Sequence, residues 1–243
     1  APTAPVVNRE NGELVTSGAV TRTNAIQYNT PVYSGLQGMV QYASQADDKA
    51  KSASTPDGKA DGKMQAIAAK YTNGPLNLGA SYTKFVSDAA TQATASKALK
   101  TTAKLTDLAA NYDLGVAKLF GNYYTRTTDI TAGSTYNGSY TDNVYGLFKD
   151  GGSIKRTGYD LGVSAPFGKT TVYASTGKGK YKTIDGTGVA EDSANVKGYT
   201  LAAAYNFSKR TALNVYTGSV KATGDAGVEL KKTQTGFGLN HAF

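Results

Sequence analysis

Apolar and polar residues alternate along this chain with a period of two, in segments of ten or more residues. In residues 195–206, for example, one parity carries Tyr199, Leu201, Ala203 and Tyr205, and the other carries small or polar residues. A period of two belongs to β-strands rather than to helices. The pattern predicts eleven strands, at residues 19–30, 34–44, 63–73, 75–87, 102–113, 115–128, 154–165, 169–182, 195–206, 209–222 and 229–243.

The connections between these segments alternate in length. Tight turns are predicted at Asn73-Gly74, Asp113–Gly115, Ala165–Gly168 and Asn206–Lys209. Between the resulting hairpins lie long polar loops at residues 45–62, 88–101, 129–153 and 183–194. Short turns at one end and long polar loops at the other are typical of a transmembrane, antiparallel, up-and-down β-barrel with periplasmic turns and extracellular loops. The predicted fold class is therefore all-β.

Tyrosines recur on the apolar parity near the ends of the segments. They are Tyr28, Tyr42, Tyr71, Tyr82, Tyr112, Tyr159 and Tyr205. Aromatic side chains in this position are typical of the girdles that flank the lipid-facing band of a membrane barrel. Tyrosines of an ordinary soluble sheet are the alternative interpretation of the same pattern.

The composition limits the chemistry that the chain can perform. Cysteine is absent, which excludes thiol nucleophiles and cysteine-based metal sites. The single histidine, His241, is the third residue from the end of the sequence, and no Ser-His or histidine-metal constellation can be built around it. The sequence therefore predicts neither an enzyme nor a metal or cofactor site.

The last residues carry the most specific motif. The run Gly236–Phe243 places Phe237, Leu239, His241 and Phe243 on one face and ends in phenylalanine. It resembles the final strand of bacterial porins, and a histidine two residues before the final phenylalanine resembles the betaproteobacterial type. Residues 24–31, 112–119 and 207–211 are similar to the same family. The resemblance implies that Phe243 and His241 form the signal that the barrel-assembly machinery recognises.

The resemblance further implies sixteen strands, a homotrimer and a third extracellular loop folded into the lumen as a constriction. The eleven predicted strands then correspond to strands six to sixteen, so about five N-terminal strands are expected to be missing from this sequence. Residues 1–18 are expected to be the tail of the inward-folded loop, and residues 19–243 the barrel. Constriction residues expected from this placement are Arg22, Arg9, Glu10 and Glu13.

The chain has a net charge of +8, and six basic against three acidic residues of one parity are expected to make the lumen electropositive. If the apolar parity faces lipid, the opposite parity lines the pore, because a charge against lipid costs about 2–4 kcal/mol at the midplane. This parity rule assigns to the lumen the basic residues Lys70, Lys118, Arg126, Arg156, Arg210 and Lys232, with the acidic residues Asp107, Asp113 and Asp160. Positions at the rims, where these charges only solubilise the protein, are the alternative.

These observations predict an outer-membrane porin, a water-filled channel for passive diffusion of small hydrophilic solutes with a preference for anions. The expected partners are small anions as permeants, outer-membrane lipid and lipopolysaccharide. Lys178, Lys180 and Lys182 share a face and suit either an outer anion funnel or a lipopolysaccharide contact. A barrel with only a structural or adhesin role is the alternative, while a nucleic-acid partner is not expected because no stacking motif or basic helix accompanies the charge.

Overall fold

The structure, a computed structural model, describes residues 5–7, 14–16, 24–44, 61–89, 99–130, 152–184, 190–225 and 227–241. Every regular element in these ranges is a β-strand. The strands are β1 (Pro5–Val7), β2 (Leu14–Thr16), β3 (Asn24–Asn29), β4 (Leu36–Ser44), β5 (Asp61–Asn73), β6 (Leu76–Ala89), β7 (Leu99–Asp113), β8 (Lys118–Ile130), β9 (Ser153–Phe167), β10 (Thr170–Ile184), β11 (Ala190–Asn206), β12 (Thr211–Gly224) and β13 (Glu229–His241). In the described ranges no helix is long and apolar enough to cross a membrane.

Strands β3 to β13 form one eleven-stranded sheet in which each strand pairs with its neighbour in sequence. Every one of these pairs is antiparallel, so the sheet has the predicted up-and-down order. All eleven predicted segments correspond to a strand. A short hairpin of β1 and β2 lies outside the sheet, in a region where the sequence pattern predicts no strand.

The sheet has two faces of different chemistry, because residues that pair directly across strands project to the same side. We call the side that carries Val40, Ile67, Leu108, Tyr159 and Leu201 the apolar face. Large side chains on it are solvent-exposed, up to 84% for Phe237. The opposite side is the polar face. The seven tyrosines predicted for the apolar parity all lie on the apolar face.

The boundaries of most strands differ from the sequence prediction by a few residues. Pro166 and Phe167 continue β9 and pair with β10, so the turn predicted at Ala165–Gly168 shrinks to Gly168 and Lys169. Gly168 adopts a φ of +60°, which lets two residues reverse the chain. The first predicted strand, 19–30, is described only from Asn24, since residues 19–23 lie outside the described ranges.

The turn before β4 depends on glycine more strongly than the turn before β10 does. Gly35 has a φ of +83°, and its carbonyl accepts a hydrogen bond of 2.9 Å from the backbone of Thr72. A Cβ at position 35 would collide with the carbonyl oxygen of Thr72, whereas a Cβ at Gly168 would meet nothing within 4 Å. The two glycines therefore share a left-handed conformation but differ in the space around them.

Gly35→Ala is expected to destabilise the protein more than Gly168→Ala does. The left-handed conformation alone costs a residue with a Cβ about 1–2 kcal/mol, which both variants incur. The collision with Thr72 adds about 2 kcal/mol to the Gly35 variant only. Denaturant unfolding of the folded protein in lipid vesicles measures the difference, and equal losses in the two variants would contradict the assigned role of Thr72.

Candidate functional site

The polar face carries most of the charged residues that the parity rule selects. The register places on it five basic residues, Lys70, Lys118, Arg126, Arg156 and Lys232, and three acidic residues, Asp107, Asp113 and Asp160. The predicted loop 183–194 is partly strand, since β10 extends to Ile184 and β11 begins at Ala190.

Two arginines are direct neighbours on this face. Arg126 of β8 pairs with Arg156 of β9, and Arg156 pairs in turn with Tyr181 of β10. The Arg156 guanidinium carbon lies 5.3 Å from the centre of the Tyr181 ring, which is within cation–π distance. The ring therefore helps to orient the Arg156 guanidinium group. The pair of arginines concentrates positive charge on a small area of the polar face.

The acidic residues of the face are placed differently from one another. Asp113 lies beside a short turn, where its carboxylate is 3.4 Å from the Lys118 ammonium and accepts a 2.8 Å hydrogen bond from the Gly115 backbone. The charges of Asp113 and Lys118 therefore neutralise each other at the short-turn end of the sheet. Asp160 lies on β9 on the same face as Arg156, closer to the short turns, and Asp107 pairs across the sheet with Tyr124.

Arg210 lies outside the strands, so strand parity does not assign it to a face. It belongs to the turn between β11 and β12, where its backbone N–H donates a 3.1 Å hydrogen bond to the Ser208 hydroxyl. Strand β12 begins one residue later, at Thr211. The turn position puts Arg210 at the short-turn end of the sheet rather than along its wall.

The remaining predicted residues divide into two groups. Arg22, Arg9, Glu10, Glu13 and Phe243 lie outside the described residues. His241 is described, and it lies on the apolar face in line with Phe237 and Leu239. Its Nδ1 atom is 2.9 Å from the Thr211 hydroxyl, a contact that ties the end of β13 to the start of β12.

A concavity with a floor of glycine adjoins the arginine pair. Gly158 and Gly179 are direct neighbours in one row of the polar face, and Gly177 and Gly198 are direct neighbours in the next. The concavity has a volume of about 390 Å³, and its lining includes the charged and aromatic side chains of Tyr124, Arg156, Asp160 and Tyr181. Because these four glycines have no side chains, they leave open space next to the Arg156 guanidinium group.

The ring of Tyr124 lies on Gly158. A Cβ at position 158 would come within 2.8–2.9 Å of three atoms of that ring. Gly158→Ala is therefore expected to displace Tyr124 and to cost about 1–3 kcal/mol of unfolding free energy. In the double variant Gly158→Ala/Tyr124→Ala, part of that loss should be recovered, which a double-mutant cycle on unfolding free energies measures. Strict additivity of the two substitutions would refute the contact.

The polar face is covered over β4, β5 and β6. Met39, Ala43, Met64, Ala68 and Thr83 lie there and are all buried, with Met64 only 2% exposed. A single-layered sheet leaves both faces open unless another segment covers one of them. Strand β1 lies close to β6 and β7, next to this buried region.

Known proteins share both the sequence pattern and the fold. The family model of Gram-negative porins matches residues 7–225. The chain belongs to the Gram-negative porin family. An outer membrane porin protein of Bordetella pertussis is 32% identical over 238 residues, an alignment that covers 90% of this chain and 57% of the relative. This porin is accordingly a protein of the bacterial outer membrane, and its sheet is that of a β-barrel.

Solved structures agree on the fold. An anion-selective porin from Comamonas acidovorans superposes with a TM-score of 0.57 at 26% identity, covering 90% of this chain and 59% of that one. OmpT of Vibrio cholerae, in its trimer form, gives a TM-score of 0.57 at 14% identity over 88% of this chain and 62% of that one. The porin chain thus spans less than two thirds of the length of each of these relatives.

Proposed function

We propose that this porin forms a water-filled channel for passive diffusion of small hydrophilic solutes, with a preference for anions. The direct pairing of Arg126 with Arg156 on the polar face carries the proposal. Because the apolar face suits lipid, the polar face is left to line the water-filled lumen. Small anions are the proposed permeants, and no catalytic step is proposed.

The charge of the lumen wall supports the anion preference. Of the charged groups on the polar face, Lys118 is paired with Asp113, while Arg156 of the arginine pair packs against the uncharged Tyr181 ring. The low-dielectric wall of a narrow pore focuses the electric field of such a charge into the lumen, and this field raises the local concentration of anions. The Comamonas acidovorans neighbour is named as anion-selective, which agrees with this direction.

We also propose that residues 1–18 are the tail of a loop that folds into the lumen and narrows it. The buried polar face of β4 to β6, with β1 beside β6 and β7, supports a segment lying against the inner wall. In this arrangement Arg9, Glu10, Glu13 and Arg22 would be close to the narrowest part of the pore.

The proposed partners follow from the open sheet. Strands β3 and β13 are its edges, and each edge leaves unpaired backbone groups that lipid cannot satisfy. Further strands, about five on the family pattern, are proposed to close the barrel between these edges. A homotrimer is the proposed assembly, with outer-membrane lipid, lipopolysaccharide and the barrel-assembly machinery as its other partners.

Planar-bilayer recording of the protein purified from outer membranes tests the proposal. We expect stable ohmic steps, and in a salt gradient a reversal potential displaced toward the anion equilibrium potential. A correctly folded protein that gives no conductance would sink the channel proposal and favour a structural barrel. A cation-displaced potential would leave the channel but overturn its preference.

A further inference from the structure

A row of four lysines crosses four adjacent strands on the apolar face. Lys178 of β10 pairs with Lys197 of β11, which pairs with Lys221 of β12, which pairs with Lys231 of β13. We call these four residues the lysine row. Three of them are exposed and Lys221 is half-exposed. The alignment arises from the register of three successive strand pairs.

The lysine row lies on the opposite side of the sheet from the arginine pair. Arg156 belongs to the polar face, whereas Lys178 pairs with Tyr159 on the apolar face. Alternation within a strand is strict, so these ammonium groups do not enter the lumen. The register therefore argues against a role for Lys178 in an anion funnel inside the pore.

The height of the lysine row matches the outer edge of the lipid-facing band. Its members lie eight to ten residues from the strand ends on the side of the sheet where the short turns lie. With a rise of about 3.3 Å per residue and a tilt of about 40°, this distance corresponds to roughly 20–25 Å along the membrane normal. The lipid-facing band of such barrels is about 25 Å tall. Tyr199, one step below Lys197, suits the interfacial aromatic level.

Four cations in direct register repel one another, and like charges that face each other across strands destabilise a sheet. Within the described residues, the ion pair found for the lysine row is with Glu229, whose Oε1 lies 2.5 Å from the Lys221 ammonium. Lys180 and Lys182 add two more cations to the same face above Lys178, and Lys155 pairs with Lys182. An external anion at this level would relieve the repulsion.

We propose that the lysine row binds the phosphate groups of lipopolysaccharide in the outer leaflet. Phosphate offers several acceptor oxygens to ammonium donors about 5 Å apart, and it lies at the level where a phosphorylated lipid meets water. The inference rests on the proposed function only for the orientation of the barrel in the membrane.

The test compares two triple variants of the protein purified from outer membranes in detergent. Lys178→Gln/Lys197→Gln/Lys231→Gln removes three members of the lysine row and keeps the ion pair of Lys221 with Glu229. Its control, Lys169→Gln/Lys209→Gln/Arg210→Gln, removes the same charge from the short turns. The probe is bisphosphorylated lipid A, titrated by calorimetry beside dephosphorylated lipid A.

We expect the lysine-row variant to bind bisphosphorylated lipid A at least about tenfold more weakly, and the control to bind as the parent does. A Lys→Arg triple at the same positions should retain binding, which separates lost charge from lost folding. Equal affinity in the parent and the lysine-row variant, or equal binding of dephosphorylated lipid A, would overturn the proposal. Conductance is recorded on the same variants. If the lysine-row variant conducts normally, the loss of lipid binding is independent of the channel. A parent protein that does not conduct contradicts only the proposed function.

Discussion

Arg126→Glu/Arg156→Glu is expected to reverse the ion preference of the channel. The two positions are direct neighbours on the polar face, so the double substitution changes the charge of one small area of the wall by four units. At pore distances and moderate salt, such a change alters the anion-to-cation permeability ratio by roughly tenfold or more. The reversal potential in a salt gradient measures it, and the shift should shrink as the salt concentration rises.

The control for this experiment is Lys180→Glu/Lys182→Glu. It changes the charge by the same amount on the neighbouring strand β10, but on the apolar face. We expect its reversal potential to stay close to that of the parent, and Arg126→Lys/Arg156→Lys to keep the anion preference. If the control shifts the potential as far as the arginine variant does, general surface charge rather than the lumen wall sets the selectivity.

A charge introduced at Leu201 is expected to destabilise the folded protein strongly. Leu201 lies on the apolar face of β11, five residues from the end of the strand at Asn206 and hence near the middle of the lipid-facing band. An arginine there should lower the free energy of unfolding by about 2–4 kcal/mol, because the guanidinium group enters hydrocarbon. Unfolding by denaturant from lipid vesicles measures the loss.

The adjacent position provides the matched control. Thr200 has the same strand environment but projects to the polar face, where it pairs with Ser175 and Gly218. Thr200→Arg should change the free energy of unfolding by less than about 1 kcal/mol, since water remains available to the new charge. If both variants lost a comparable free energy of unfolding, the assignment of the apolar face to lipid and of the polar face to water would be wrong.

The faces of this sheet could be predicted from the sequence because successive side chains of a strand project to opposite sides. Parity placed Lys70, Lys118 and Lys232 on the polar face without knowledge of any strand pairing. Strand ends were less predictable: Arg210 was included in a strand, although the turn before β12 extends through it. One residue at a boundary decides between wall and rim, and period-two alternation does not fix boundaries to that accuracy.

The register of two strands joined by a long predicted loop could not be predicted from the sequence. Arg126 and Arg156 lie on either side of the predicted loop 129–153, and the length of that predicted loop leaves the alignment of β8 with β9 open. The lysine row is a stronger case, since it needs the register of three successive strand pairs. The roles of the constriction residues Arg9 and Arg22 stay predictions because both lie outside the described residues.

Cysteine scanning along β11 is the most direct measurement of which face meets water. The chain contains no cysteine, so a single new thiol can be followed without background from these residues. Thiols would be placed one at a time at positions 199 to 204, and their reaction with a charged, water-soluble reagent would be recorded in lipid vesicles together with the conductance.

A water-filled lumen behind the polar face predicts a period of two in this experiment. Thiols at Thr200, Ala202 and Ala204 should react rapidly and reduce the conductance, because these residues lie on the polar face. Thiols at Leu201 and Ala203 should react slowly and leave the conductance unchanged. Equal reaction at both parities, or rapid reaction at Leu201 and Ala203 alone, would contradict the assignment of the polar face to the pore.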